Sequence, residues 1–163
     1  MRMRCATVEV GAFFWVFVAN MVFQGPAALT LDTKGRLTMP ARHLTVLRAM
    51  TLTQLTLTKH PDGPLMVFPR PTWDEFRDRI NALPMEAVRW KRVFLGNAMD
   101  VELDASSRVL IAPELRKSAG LDRDVMLIGM GSHLELWGAA QHAAHEAEVV
   151  QGAMPDSLKG FTF

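Results

Sequence analysis

The chain contains the same short device twice, as Asp32-Thr-Lys-Gly-Arg-Leu-Thr-Met-Pro40 and again as Asp104-Ala-Ser-Ser-Arg-Val-Leu-Ile-Ala-Pro113. Each copy offers an Asp able to accept backbone hydrogen bonds inside its own turn. An Arg follows four residues later, then a short run of apolar and polar residues, then a Pro suited to the first turn of a helix. A repeated unit that cannot cover its own apolar face must pack against its twin. With two units, the expected product is one closed, pseudo-symmetric body.

The flanks of the two copies also correspond. Ala28 to Leu31 alternates as a half-buried strand does, Asp32-Thr-Lys-Gly35 supplies turn residues, and Arg36 to Met39 resumes the extended pattern. This predicts a β-hairpin with a cationic tip. Leu44, Leu47 and Met50 then fall at helical spacing after Pro40. Gln54 to His60 alternates, Pro61-Asp-Gly-Pro64 breaks it, and Leu65 to Phe68 is a compact apolar run, so a second hairpin is expected. Asn97 to Leu103 and Arg108 to Ala112 repeat the first hairpin, Pro113 to Ala119 repeats the helix, and Gly120 stands where a C-terminal cap belongs. Val125 to Ile128 and Leu134 to Trp137 echo the second hairpin. The match is imperfect, because Pro113 lies five residues after its Arg and Pro40 only four. Between the copies, Trp73, Phe76, Ile80 and Leu83 recur at helical spacing after Pro71, and Pro84 separates them from a second short helix over residues 85 to 94. Residues 139 to 150 are expected to form a terminal helix, and residues 152 to 163 a mobile tail.

At 163 residues and 49% hydrophobic, the chain can bury a substantial core. Its formal net charge is only +1, so total charge lends no support to nucleic-acid binding, and any basic footprint must come from where the charges sit. Cys5 is the sole cysteine, which excludes an internal disulfide and a multi-Cys zinc site and favours a reducing compartment. Met-Arg-Met-Arg followed by the apolar run Gly11 to Asn20 imitates a secretory signal. The run is too short to span a membrane, Glu9 interrupts its approach, and no convincing small-x-small cleavage site follows. Without Arg2, Arg4 and Glu9, the rest of the chain carries equal numbers of basic and acidic residues.

Asp-Thr-Lys-Gly-Arg-Leu with Pro-Ala-Arg, and Asp-x-x-x-Arg-Val-Leu-Ile-Ala-Pro-Glu-Leu-Arg-Lys-Ser-Ala-Gly-Leu, closely resemble the MraZ family, as do Gly25 and Glu135-Leu-Trp137. These are bacterial transcriptional regulators built from two AbrB-like swapped-hairpin repeats, and the resemblance runs from about Met21 to Gly138. It implies an α+β fold in which two pseudo-symmetric swapped-hairpin repeats form one β-barrel-like body, with connecting and C-terminal helices. The expected divisions are an AbrB-like repeat at 26–73, a helical connector at 74–96, a second repeat at 97–140, and a C-terminal helix and mobile tail at 141–163. Met21 stands where such proteins usually start, so residues 1–20 are read as a misassigned or extra N-terminal extension. The resemblance further implies a cytoplasmic, nucleoid-associated protein that forms a ring-like homo-oligomer. Its partner would be double-stranded promoter DNA, at repeated elements upstream of a cell-division and cell-wall operon. It implies no cofactor, no membrane partner and no small-molecule substrate.

In AbrB-like proteins the hairpin tips face DNA, which carries over here as Lys34, Arg36 and Arg108 for contact and Asp32, Gly35 and Asp104 as turn scaffold. Read without the resemblance, the same Asp and Arg residues are ordinary turn chemistry, with a salt bridge available to each pair. Arg42 and Arg116 each follow a helix-opening Pro and could reach phosphate, or could be plain surface arginines. Ser107 stands where the family usually has Gly, so a turn needing positive φ is strained there and is expected to hold the second tip differently. Arg89, Lys91 and Arg92 around Trp90 resemble a nucleic-acid patch, although Trp90 at helical spacing from Phe94 reads more simply as core. His142 and His145 beside Glu146 have a spacing metals can use but too few ligands for a metal site. No nucleophile, base and acid constellation and no Gly-rich phosphate loop can be assembled, so an enzyme is not expected. Two other readings stay open: an AbrB-like antitoxin binding a toxin and its own promoter, and a metal-dependent enzyme using the late histidines.

Overall fold

A computed structural model describes residues 22–50, 52–158 and 160 of the chain. The expectations placed on residues 1–20, including Cys5, lie outside the described residues. The first repeat comprises β1 (Phe23–Thr30), β2 (Arg36–Thr38), α1 (Ala41–Ala49), β3 (Gln54–Lys59) and β4 (Leu65–Pro69). The helices α2 (Arg70–Asn81) and α3 (Val88–Phe94), with a 3-10 turn at Met85–Ala87, lead into the second. That repeat comprises β5 (Met99–Glu102), β6 (Arg108–Leu110), α4 (Pro113–Ser118), β7 (Asp124–Gly131) and β8 (Leu134–Gly138). The helix α5 (Ala139–Gln151) and a 3-10 turn at Asp156–Leu158 follow.

The fold is α+β, and its strands exchange between the repeats. Six strands form one antiparallel sheet in the order β1-β7-β8-β4-β3-β5, while β2 and β6 form a separate two-stranded ribbon. Within each repeat only β3·β4 and β7·β8 pair as hairpins. Every other ladder joins one repeat to the other: β1 to β7, β3 to β5, β4 to β8 and β2 to β6. Exchanging the repeats maps β1·β7 onto β5·β3 and maps β2·β6 and β4·β8 onto themselves, which is the pseudo-twofold that the repeated motif implies.

One expectation needs correction and one needs sharpening. The first strand and its return do not form an ordinary hairpin, because β1 and β2 part after one bridge, Leu31 to Leu37, and each finds its ladder in the other repeat. Nor does the sheet close into a barrel; β1 and β5 are its two edges. Pro26 lies in β1, an edge strand, where a missing N–H is tolerated.

The two faces of the sheet are covered by different elements. Leu55, Leu57, Leu65, Val67, Val125, Leu127, Leu134 and Leu136 point to one side and pack with Leu37 and Val109 of the ribbon and Leu47 and Leu115 of α1 and α4. The alternate residues Met66 and Phe68 point to the other side and meet Trp73, Phe76 and Phe94 of the connector. β4 and β8 are therefore buried along their whole length, which explains why their sequences lack the polar alternation of a one-sided strand. The polar groups caught on the second side are satisfied: Thr56 Oγ1 donates to Asp100 Oδ1 at 2.7 Å, Thr58 Oγ1 donates to the Phe94 carbonyl, and Trp137 Nε1 donates to Glu135 at 3.0 Å.

The offset between the two prolines also resolves. Pro40 occupies the N-cap of α1, whereas Pro113 is the first residue of α4, so it is Ala112 that corresponds to Pro40. Gly120 caps α4 with φ +58, as expected from its place in the sequence.

His43 departs from this economy. It is 1% exposed in α1, its Nε2 has no hydrogen-bond partner among the described residues, and it stands seven residues after Arg36, where Leu115 stands seven after Arg108. Burial, with the neighbouring Arg42 charge adding to it, holds its pKa below the ordinary 6.5. The folded state thus resists the proton that the unfolded chain accepts, so stability is full above about pH 6.5 and falls as pH drops through the lower folded value. An orphaned buried polar atom costs about 1–3 kcal/mol, while the edge contact of His43 with Phe23 at 5.7 Å returns about 0.5–1.5 kcal/mol. His43→Leu should therefore raise stability by about 1 kcal/mol, a gain of about 2–4 °C in thermal midpoint, and should blunt the loss below pH 6.5. Thermal melts of both proteins at pH 7.5 and 5.5 check it, and an unchanged or lower midpoint for the variant contradicts it.

Candidate nucleic-acid interface

The two tips are built by one carboxylate each. Asp32 Oδ1 accepts from the backbone N–H of Lys34 and of Arg36, both at 2.9 Å, while Oδ2 accepts from Arg36 Nε at 2.6 Å. Asp104 repeats this with Ser106 and Arg108 N–H at 2.9 Å and Arg108 Nε at 2.8 Å. In both turns the Asp backbone carbonyl accepts the N–H of the residue before the Arg, Gly35 or Ser107, at 2.9 Å. The N–H of the Arg, then its side chain, hold each carboxyl below the ordinary carboxylate value of 3.8. The turn-chemistry reading and the salt bridge are thus both realised, and neither precludes contact with a ligand: only Nε of each partly exposed guanidinium is committed to Asp, which leaves its terminal amino groups able to donate.

Both turns need positive φ before the Arg. Gly35 has φ +76 and Ser107 φ +59, the one non-glycine residue with positive φ among the described residues. The strain expected at Ser107 is present, yet the second turn keeps the hydrogen bonds of the first, so the substitution loads the tip without reshaping it. The reason lies in the ribbon: Met39 N–H donates to the Ser107 carbonyl at 2.9 Å and Ile111 N–H to the Gly35 carbonyl at 3.0 Å. Each turn is clamped by the strand of the opposite repeat.

The β2·β6 register sets which side chains share a face. Arg36 pairs with Leu110, Leu37 with Val109 and Thr38 with Arg108. Leu37 and Val109 are 1% exposed and point into the core, so Arg36, Thr38, Arg108 and Leu110 all point outward. The two arginines lie diagonally across one surface, as residues about 7–8 Å apart with their Cβ atoms somewhat closer. Lys34 stands exposed beside them, with Ser106 as its counterpart in the second turn. Thr38 and Leu110 escaped the sequence reading. Their alternation with Arg36 and Arg108 was visible, but the pairing that unites the strands was not.

The other candidates take different places. Arg42 lies over Gly25 and donates to the Pro26 carbonyl of β1, and Arg116 lies across Gly35 while its Nε donates to the Ile111 carbonyl at 3.1 Å. Both are therefore held against backbone. Arg116 touches the first tip, whereas Arg42 lies against the edge strand. Trp90 is not core: it is 51% exposed and stacks on Phe94 at 6.1 Å. Its neighbour Lys91 donates to the carbonyls of Asn81 and Leu83 at 2.9 and 2.6 Å, closing the end of α2. This cluster sits on the connector, across the sheet from the ribbon. His142 and His145 both face Trp137, at 5.8 and 4.9 Å between ring centroids. Among the described residues no three His, Cys, Asp or Glu side chains are grouped to hold a metal, and no helix is long and apolar enough to cross a membrane.

Comparison with known proteins adds a family. The family model described as "MraZ protein, putative antitoxin-like" matches the chain twice, over residues 22–93 and 94–155. A protein of Methylibium petroleiphilum named "Transcriptional regulator MraZ" is 63% identical over 146 residues, covering 90% of this chain and 100% of that relative. Proteins of the same name from Leptothrix cholodnii and a Polaromonas species are 60% and 58% identical, covering 90% and 87% of this chain and 100% of each relative.

The tip geometry yields a paired stability test. Left-handed backbone costs a side-chain-bearing residue about 1–2 kcal/mol, while glycine returns about 0.5–1 kcal/mol of that through the freer unfolded chain. Ser107→Gly should stabilise by less than about 1 kcal/mol. Gly35→Ala should destabilise by about 1–2 kcal/mol, because the same balance of φ cost and unfolded-chain freedom is joined by displacement of the Arg116 guanidinium, 2.5 Å from the new Cβ, off the Ile111 carbonyl. Denaturant melts that reverse these signs would show that the turns are not under the backbone constraint described.

Proposed function

This chain belongs to the MraZ family, and from that premise we propose that it is a sequence-specific, DNA-binding transcriptional regulator that lays its β2·β6 ribbon in the major groove. One observation carries the reading: two arginines, each buttressed by an Asp, project from the same outward face of a two-stranded ribbon. The major groove, about 12 Å wide, admits such a ribbon. A guanidinium suits the acceptor pair of guanine, or phosphate, better than a lysine does. Fixing Nε in advance reduces the side-chain entropy lost on binding. Lys34, on its exposed turn, is placed to meet phosphate, and Arg116 against the first tip is better placed for this than Arg42.

Magnitudes argue for assembly. Two good base contacts at about 1–3 kcal/mol each fall well short of nanomolar binding at about 12 kcal/mol. The near-neutral chain adds little general attraction to DNA. We infer a homo-oligomer, ring-like in the family, whose subunits engage repeated promoter elements together so that tethering raises effective concentration. In this reading the protein works beside the nucleoid without catalysis or cofactor.

Binding measured by fluorescence anisotropy on the DNA upstream of the protein's own coding sequence tests this. Arg36→Ala and Arg108→Ala should each weaken specific binding by about 1–3 kcal/mol per lost base contact, and more where every subunit carries the change. Lys34→Ala should weaken all sequences alike and flatten the salt dependence by about one unit per contact. The two ion pairs lie at the surface and are screened by solvent, so thermal midpoints should move little. Full binding by Arg36→Ala and Arg108→Ala would refute the interface.

A further inference from the structure

We propose that Leu110 is a base-reading residue, specific for the 5-methyl group of a thymine in the base pair next to the one contacted by Arg36; the proposal rests on the DNA-binding reading above. The outward face of the ribbon holds four side chains, and three of them are polar: Arg36, Thr38 and Arg108. Leu110 is the exception. It is 54% exposed, although its neighbour Val109 in the same strand is buried in the core. The core places no demand on a leucine there, and solvent disfavours it.

The chemistry of the groove narrows what such a residue can meet. Base edges in the major groove offer hydrogen-bond donors and acceptors, together with one apolar substituent, the C5-methyl of thymine. A leucine pressed against the polar atoms would strip them of water without replacing a hydrogen bond. Against the methyl group it buries apolar surface on both sides. Hydrogen bonding supplies the complementarity for this occupant, since the flanking Arg36 and Arg108, each tied to its Asp through Nε, keep terminal amino groups for the base acceptors beside the methyl group.

The register places the contact. Leu110 and Arg36 are direct cross-strand partners, so their Cβ atoms are about 4.5–5.5 Å apart. That is between one and two steps of about 3.4 Å along a DNA strand. Thr38 stands opposite Arg108 in the same way, but its hydroxyl and methyl can meet a polar or an apolar edge. The pseudo-twofold is thus broken at this pair of positions on the reading face, and the two halves of the ribbon should differ in their demand for thymine.

The test uses the full chain and a duplex that the wild-type protein selects from a random-sequence pool. Each thymine is replaced singly by deoxyuridine, which removes the methyl group and nothing else. Wild type should lose about fourfold in affinity, the value of one buried methyl, at a thymine adjacent to a guanine whose replacement also ceases to matter in Arg36→Ala. Leu110→Ala should bind the thymine and uracil duplexes alike, with its thermal midpoint unchanged because the side chain is exposed. A scan in which no uracil weakens wild-type binding, or a penalty that persists in Leu110→Ala, overturns the proposal while Arg36-dependent selection leaves the interface standing. A pool that yields no selected sequence overturns both.

Discussion

The opening strand of each repeat has no ladder partner in its own repeat, and its backbone N–H and C=O groups are met by the third strand of the other: β1 by β7 and β5 by β3. Unpaired backbone groups in a covered sheet are costly, so neither repeat can complete its structure alone. The ribbon is subject to the same constraint. Three residues of β2 and three of β6 are too few to stand as an isolated pair, and they hold because Leu37 and Val109 enter the core formed by both repeats. The surface that carries the arginines is therefore a product of the exchange, not of either motif.

Within that frame each tip is over-determined. One carboxylate group binds two backbone N–H groups and its Arg, and the opposite repeat clamps the carbonyl of the residue before that Arg. A turn held from both sides can accept a residue that does not favour it, which is why Ser107 adopts the conformation Gly35 adopts freely. The same redundancy fixes each guanidinium beside its Asp.

The repeats diverge where the pseudo-symmetry tolerates it. Phe68 of β4 meets Trp73 and Phe76 of the following helix at 5.7 and 5.0 Å; Trp137 of β8, five and eight residues before His142 and His145, meets those histidines in the same arrangement. Shape is retained there while chemistry changes. His43 against Leu115 is a similar exchange in the core, and there it leaves an unsatisfied nitrogen. On the surface, Lys34 against Ser106 and Thr38 against Leu110 make the two halves of the ribbon's outward face unlike.

Much of this was legible in the residue order, because turn chemistry and side-chain periodicity are local. Asp32-Thr-Lys-Gly35 and its copy specify turns by hydrogen bonds that span four residues, Pro40 and Pro113 mark helix starts, and the spacing of Trp73 and Phe76 marks a helix that buries one side. The family and its two repeats were recognisable on the same motifs. Strand pairing was not, since ladder partners lie far apart in the chain and alternation specifies a face without specifying a neighbour; hence β1 and β2 read as a hairpin and the sheet as barrel-like. The burial of Trp90 was misjudged for a related reason, as helical spacing says which residues share a side but not whether another element covers it. Residue order by itself determined the turns, the helices and the two buttressed arginines. That Arg36, Thr38, Arg108 and Leu110 form one surface was decided only by the tertiary structure, because it depends on a register between strands of different repeats that the shared core alone enforces.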